Sequence, residues 1–171
     1  MSFADSSNYF FEAAANMLEL SDETIALLSQ PYRELHVQVP IKMAYNLSQL
    51  PESVDTFLAT TSFGALSSID VKGRLHTAVV GFHFNKDEKI IRIISNKDSQ
   101  KVKNIQKNNQ VSLCQVNANK WISFFGTGII HNTQQKVKEA TNAYASRYQE
   151  PGENTERIAI EIKIEKMLGN A

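Results

Sequence analysis

Apolar and polar positions alternate or cluster in a pattern that changes period along the chain. Met1 to Tyr32 carries Phe10, Ala14, Met17 and Leu18 at helical spacing, and Ser21 opens a second helical stretch with Ile25 and Leu28 that Pro31 ends. Glu34 to Leu50 alternates weakly around Pro40, as an edge strand or an extended connection does, because proline donates no ladder hydrogen bond. Pro51 starts a short helix with Val54, Phe57 and Leu58 on its inner face. From Phe63 the period drops to two. Phe63 to Ile69 and Arg74 to Phe84 read as strands joined by the turn residues Asp70, Lys72 and Gly73, and Asn85 to Lys89 makes the turn before the next strand.

That next strand is dense in β-branched residues, Ile90, Ile91, Ile93 and Ile94, and leads into Ser95, Asn96, Asp98 and Ser99, which are all helix-capping types. Val102 and Ile105 set the spacing of a short helix starting near Asp98 or Ser99, and QVSLCQV follows as a strand. Lys120 to Asn132 reads as a long strand interrupted by Gly126 and Gly128, whose place in a strand marks a bulge or a close backbone approach. Gln134 to Gln149 is a helix with Val137, Thr141, Tyr144 and Tyr148 on one stripe. The closing segment sets Ile158, Ile160, Ile162 and Ile164 against Glu161, Lys163 and Glu165, a strand with one wet face. Many antiparallel strands with few helices predict a mainly β, α+β fold with flanking helices. The sheet is expected to close or nearly close into a barrel of residues 50–171, preceded by a helical arm and connection of residues 1–49.

Charge narrows the chemistry. Lys97, Lys101 and Lys103 crowd the start of the helix after the isoleucine-rich strand, where the helix dipole already disfavours cations. A bound anion relieves that conflict, since free helix-start N–H groups, serine hydroxyls and a lysine ammonium all donate to phosphate oxygens. Two features pull the other way: Asp98 is placed to satisfy the same N–H groups, and lysine runs are common on solvated helix faces. The formal net charge is zero, which gives no broad attraction to nucleic acid, and no apolar run approaches a bilayer's span. The first 32 residues hold no Lys, Arg or His, unlike a signal or transit peptide. Cys114, the single cysteine, is expected to be a small core residue, and its lack of a partner fits a reducing cytoplasm. His76 and His83, taken as one strand, face opposite sides, and no metal-ligand or serine-nucleophile spacing occurs.

The segment SNKDSQK, Ser95 to Lys101, resembles the phosphate-holding segment of pyridoxamine 5'-phosphate oxidase and its split-barrel relatives. FGALSSIDVKGRLHTAVVGFHF resembles the opening hairpin of that family, KWISFFGTGIIHN its long strand, and ERIAIEIKIEKMLG its closing strand. The resemblance implies an antiparallel split β-barrel that binds FMN and performs flavin redox chemistry, in which the cofactor carries the electrons and no side chain need be catalytic. It implies that Ser95, Asn96, Ser99 and Lys101 contact the phosphate and ribityl chain, with Lys97 and Gln100 beside them. Backbone at Thr77, Ala78, Val79 and Val80 would face the ring. It further implies a homodimer in which Trp121 leans on the partner's flavin, acting on a small-molecule substrate or electron donor. Relatives of this fold that bind deazaflavin or haem are the alternatives, as is a barrel that stores or senses flavin without turnover. Two departures count against the vitamin-oxidase reaction itself. Gln100 stands where that enzyme has arginine, and KIEKMLGNA lacks the arginine-bearing extension that binds its substrate.

Overall fold

In the computed structural model the described residues are 44–171. The proposed helical arm falls on residues 1–43, outside them, together with most of the Glu34 to Leu50 stretch. In chain order the elements are α1 (Glu52–Ala59), β1 (Gly64–Ile69), β2 (Leu75–Val80), β3 (His83–Asn85), β4 (Ile90–Asn96), α2 (Gln100–Lys107), β5 (Gln110–Asn117), β6 (Lys120–His131), α3 (Gln134–Arg147) and β7 (Arg157–Gly169). The seven strands form one antiparallel sheet in the order β2-β1-β5-β6-β7-β4-β3. Alternation does the sorting that period two promises. Leu66, Leu113, Phe124, Ile122, Ile91, Ile93, Ile160 and Ile162 point inward to a single core, and α1 adds Val54, Phe57 and Leu58.

The stretch Arg74 to Phe84 is two strands, not one. β2 and β3 lie at opposite edges of the sheet, yet only Gly81 and Phe82 separate them in sequence. So short a link spans roughly 10 Å at most, so the sheet must coil until its two edges meet at this point. Its two edges share no ladder, and the result is a split barrel. At the seam the backbone of Phe82 has no strand partner, and its side chain is fully buried. Helix α3 and the residue after it supply what the ladder does not. The Tyr148 hydroxyl accepts from Phe82 N at 3.2 Å and donates to Ser62 O at 2.7 Å, and Arg147 Nη1 donates to Phe82 O at 2.9 Å. Gly81 is required here, because a Cβ would lie 2.5 Å from Tyr144 Cε2.

Three further expectations meet corrections. Cys114 is not a core residue: it lies half-buried on the outer face of β5, and the inward position beside it belongs to Gln115. That fully buried amide donates to Phe57 O and Thr60 Oγ1 and accepts from Arg147 Nη2 at 2.7 Å, so its polar atoms are matched. The face of β7 opposite the isoleucines is wet only in its second half, at Lys163 and Glu165. In the first half Ala159 and Glu161 are buried, with α3 packed on this region of the sheet. His76 and His83 do not share a strand, and β2 and β3 set them on different edges. The glycine expectation holds: the β6–β7 register shifts between Phe125 and Gly126, a bulge.

Glu161 carries a cluster of its own. It accepts from Lys136 Nζ at 3.1 Å and Arg92 Nε at 3.3 Å, and His131 Nε2 lies 3.0 Å away without a hydrogen bond. Burial alone would raise its carboxyl, but Lys136, then His131 and Arg92, outweigh that and hold it below the ordinary value of 4.5. A depressed folded value means the unfolded chain binds the proton more readily, so this contribution is full above 4.5 and is lost as pH falls through the folded value. Urea midpoints measured from neutral to acid pH should therefore fall steeply for the parent protein. They should fall less steeply for Glu161→Gln, which starts lower at neutral pH.

Candidate cofactor cleft

The split sets β2 and β4 on its two sides. In the β3–β4 hairpin His83 faces Arg92 and Phe84 faces Ile91. Continuing that register past Phe82 would set Val80 opposite Ser95, but beyond Gly81 the chain leaves β4 to pair with β1, Val80 against Gly64 and Thr77 against Ser67. The sheet therefore divides between Val80 and Ser95, and this split is the candidate cleft. Thr77, Ala78, Val79 and Val80 form one lip, and Ser95, Asn96 and the start of α2 form the other. By strand alternation Ser95 shares the inner face with Ile91 and Ile93, and His76 and Ala78 share that of Val80.

The corner between β4 and α2 is rich in donors. Ser99 is the N-cap residue, but its side chain caps no backbone group; its hydroxyl pairs instead with that of Ser95 at 3.0 Å. Asn96 Oδ1 accepts from Asp98 N at 3.1 Å, closing an Asx turn that shapes the corner. The first turn of α2 holds no acidic residue, and the Asp98 carboxylate, exposed just before the helix, does not take the capping position. Val102 N and Lys103 N bond to Ser99 O, which leaves the N–H groups of Gln100 and Lys101 as the helix-start donors.

The lysines divide. Lys97 is held by Glu156 through an ion pair, and the carboxylate's hydrogen bond to the ammonium and its charge raise the Lys97 pKa; the Lys97 backbone N–H also donates to Glu156 O at 3.0 Å. Lys101 is half-buried, has no carboxylate within ion-pair distance among the described residues, and is pushed below its usual pKa by burial. Lys103 is exposed. Gln100 turns its amide back along the helix, donating to Asn104 Oδ1 at 2.7 Å.

The β2 lip is fixed on both faces. Thr77 Oγ1 pairs with Ser67 Oγ at 3.0 Å on the outer face, and on the inner face Ser68 Oγ donates to His76 O at 3.4 Å. Nδ1 of His76 is buried without a partner. The donor set of the corner, one ammonium unpaired among the described residues, two hydroxyls and two backbone N–H groups with no acid in the first turn, suits a phosphoryl group.

A family model for pyridoxamine 5'-phosphate oxidase matches residues 50–170. The chain belongs to the pyridoxamine 5'-phosphate oxidase family. Within the family it is 30% identical over 129 residues to the F420H(2)-dependent biliverdin reductase of Mycobacterium tuberculosis (strain CDC 1551 / Oshkosh), covering 75% of this chain and 94% of that protein. Two solved structures share the fold. The conserved hypothetical protein Rv2991 from Mycobacterium tuberculosis superimposes with a TM-score of 0.62 at 15% identity, over 75% of this chain and 86% of that one. HutZ, the heme storage protein from Vibrio cholerae, gives 0.60 at 13% identity, over 70% and 93%.

Within one chain Trp121 stands apart from the cleft. It is half-buried at the start of β6 opposite Val116, and His131 at the far end of β6 is the residue nearest in level to the corner, about 30 Å up the strand. The residues that sequence reasoning missed are Ser68, Asn104 and Glu156. Asn104 left a signal, a polar side chain on the buried stripe with Val102 and Ile105; nothing local marks Glu156, which reaches Lys97 from across the fold. Among the described residues no group of three His, Cys, Asp or Glu is arranged to hold a metal ion, and no helix is long and apolar enough to cross a membrane.

Proposed function

We propose that this chain is an oxidoreductase that holds a flavin-type cofactor, FMN or a deazaflavin, in the split between β2 and β4. The observation that carries the reading is the corner itself: a half-buried Lys101 with no counter-ion among the described residues, beside paired serine hydroxyls and free helix-start N–H groups. Ser95, Asn96, Ser99 and Lys101 bind the phosphoryl end, with Lys97 and Gln100 flanking it. Backbone from Thr77 to Val80 lies along the ring. When bound, the cofactor carries hydride or electrons, and the chain contributes its placement and the exclusion of water. Kinship with an F420H(2)-dependent reductase supports the deazaflavin form, and the single uncommitted ammonium at the corner suits a phosphoryl group of low charge.

The working unit is a homodimer in the cytoplasm. Leu75, Val79, Val116 and Phe125 stand exposed on the outer face of β2, β5 and β6, where an open groove of about 390 Å³ runs past Ile69, Leu75 and Phe125. A soluble monomer rarely shows so many large apolar side chains on one face. Trp121 shares this face through its pairing with Val116, and it reaches the partner's cofactor across the interface.

Absorbance and fluorescence titration of the purified protein with FMN, F420 and hemin tests the reading. FMN or F420 is expected to bind, and the bound form to be reduced by a hydride donor and reoxidised by an added acceptor. Binding of hemin alone would move the protein to the haem-handling branch. Binding without turnover would make it a store or sensor, and no binding at all would remove the cofactor reading.

A further inference from the structure

We propose that Asn104 is a positioning residue that sets the spacing between the two lips of the cleft. It lies on α2, 2% exposed, on the stripe that carries Val102 and Ile105. Packing alone would favour an aliphatic side chain there, because a buried amide that loses its partners costs more than it returns. Asn104 keeps partners on both sides. Its Oδ1 accepts from Gln100 Nε2 at 2.7 Å, and its Nδ2 donates to Ser68 Oγ at 3.1 Å. Ser68, 1% exposed on β1, passes the chain on to His76 O at 3.4 Å. A continuous hydrogen-bonded path, buried at its Asn104–Ser68 centre, thus runs from the first residue of α2, through β1, to the backbone of β2 immediately before Thr77.

The path matters because of where it lies. Near Val80 the lips are joined covalently through Gly81 and Phe82, and Tyr148 and Arg147 fix that link. At the Thr77 side no ladder crosses the split, and the Gln100–Asn104–Ser68–His76 chain is the polar connection between the helix that carries Lys101 and the strand that faces the ring. The same hydrogen bond draws the Gln100 amide away from the corner, leaving the Lys101 ammonium and the helix-start N–H groups unobstructed. A ligand that touches only one lip is indifferent to the spacing. A ligand with a ring on one lip and a phosphoryl group on the other depends on it.

The inference rests on the cofactor reading, and flavin binding by Asn104→Leu and Ser68→Ala separates the two. Dissociation constants are measured by fluorescence quenching for FMN, which spans both lips, and riboflavin, which lacks the phosphate. Inorganic phosphate is scored as a competitor, and thermal midpoints are recorded alongside. Each variant should bind FMN about tenfold more weakly, the worth of one buried hydrogen bond. Riboflavin and phosphate binding should stay at the parent level, and the double variant should be no worse than either single one, because both break the same path. Unchanged FMN affinity in a folded Ser68→Ala protein overturns the inference while leaving the cofactor reading intact. So does an equal loss for FMN and riboflavin, which is the mark of a purely structural role. A parent protein that binds FMN no better than riboflavin overturns both.

Discussion

Replacing Lys101 by alanine is expected to weaken FMN binding by about 1.5 to 3 kcal/mol, roughly ten- to hundredfold in dissociation constant. The size follows from the environment of the ammonium. An exposed lysine beside a phosphate is screened and loses little, but Lys101 is half-buried, already depressed in pKa by desolvation, and without a carboxylate partner among the described residues. A phosphoryl group arriving at the corner restores the favourable setting for its charge, so binding draws Lys101 back toward protonation. Affinity should therefore decline in the alkaline range where Lys101 gives up its proton, earlier than an ordinary lysine would. Lys103→Ala, on the exposed side of the same helix, should change affinity far less and only at low salt. Equal losses for the two variants would show that the corner attracts by general charge and not by contact, and would remove Lys101 from the site.

Gly126→Ala is expected to be the most destabilising single-methyl change in the sheet, costing about 3 kcal/mol or more and lowering Tm by roughly 10 °C. A Cβ at this position would lie 1.9 Å from Lys163 O and 2.9 Å from its carbonyl carbon, both backbone atoms of the neighbouring strand. Nothing there rotates away. Relief requires β6 and β7 to separate at the bulge, which breaks ladder hydrogen bonds on either side of the register shift. Gly152→Ala is the control, since no atom comes within 4 Å of its added Cβ, and it should shift the urea midpoint within error. A folded Gly126→Ala protein of parent stability would mean that the bulge relaxes at no cost.

Much of this architecture is legible in residue pattern because the local physics agrees with the fold. Period-two segments become strands, Pro51 and Ser99 stand at helix starts, and Asp70 to Gly73 turn the first hairpin. The failures have one cause, interactions between residues distant in sequence. Arg74 to Phe84 reads as one strand because nothing local in Gly81–Phe82 announces that the chain crosses from one edge of the sheet to the other; the signal lies in Tyr144, Arg147 and Tyr148, more than sixty residues on. Glu161 reads as a wet position until α3 covers it, and Cys114 reads as core until Gln115 is matched by Arg147 and the end of α1. At the candidate site the residue types at the corner were readable. Their division was not: that Lys97 is engaged, Lys101 free and Gln100 drawn back depends on Glu156 and Asn104.

The order of strands also constrains how the chain assembles. β1–β2, β3–β4 and β5–β6 are each joined by short connections and pair as they are made, but the group holding β1, β2, β5 and β6 is bridged to the β3–β4 hairpin only by β7, which pairs with β6 on one side and β4 on the other. Residues 157–169 leave the ribosome after the other six strands of this sheet. Until they do, two unfinished sheets with open edges must coexist in the nascent chain, and the closing step is a late, long-range insertion of the slow kind.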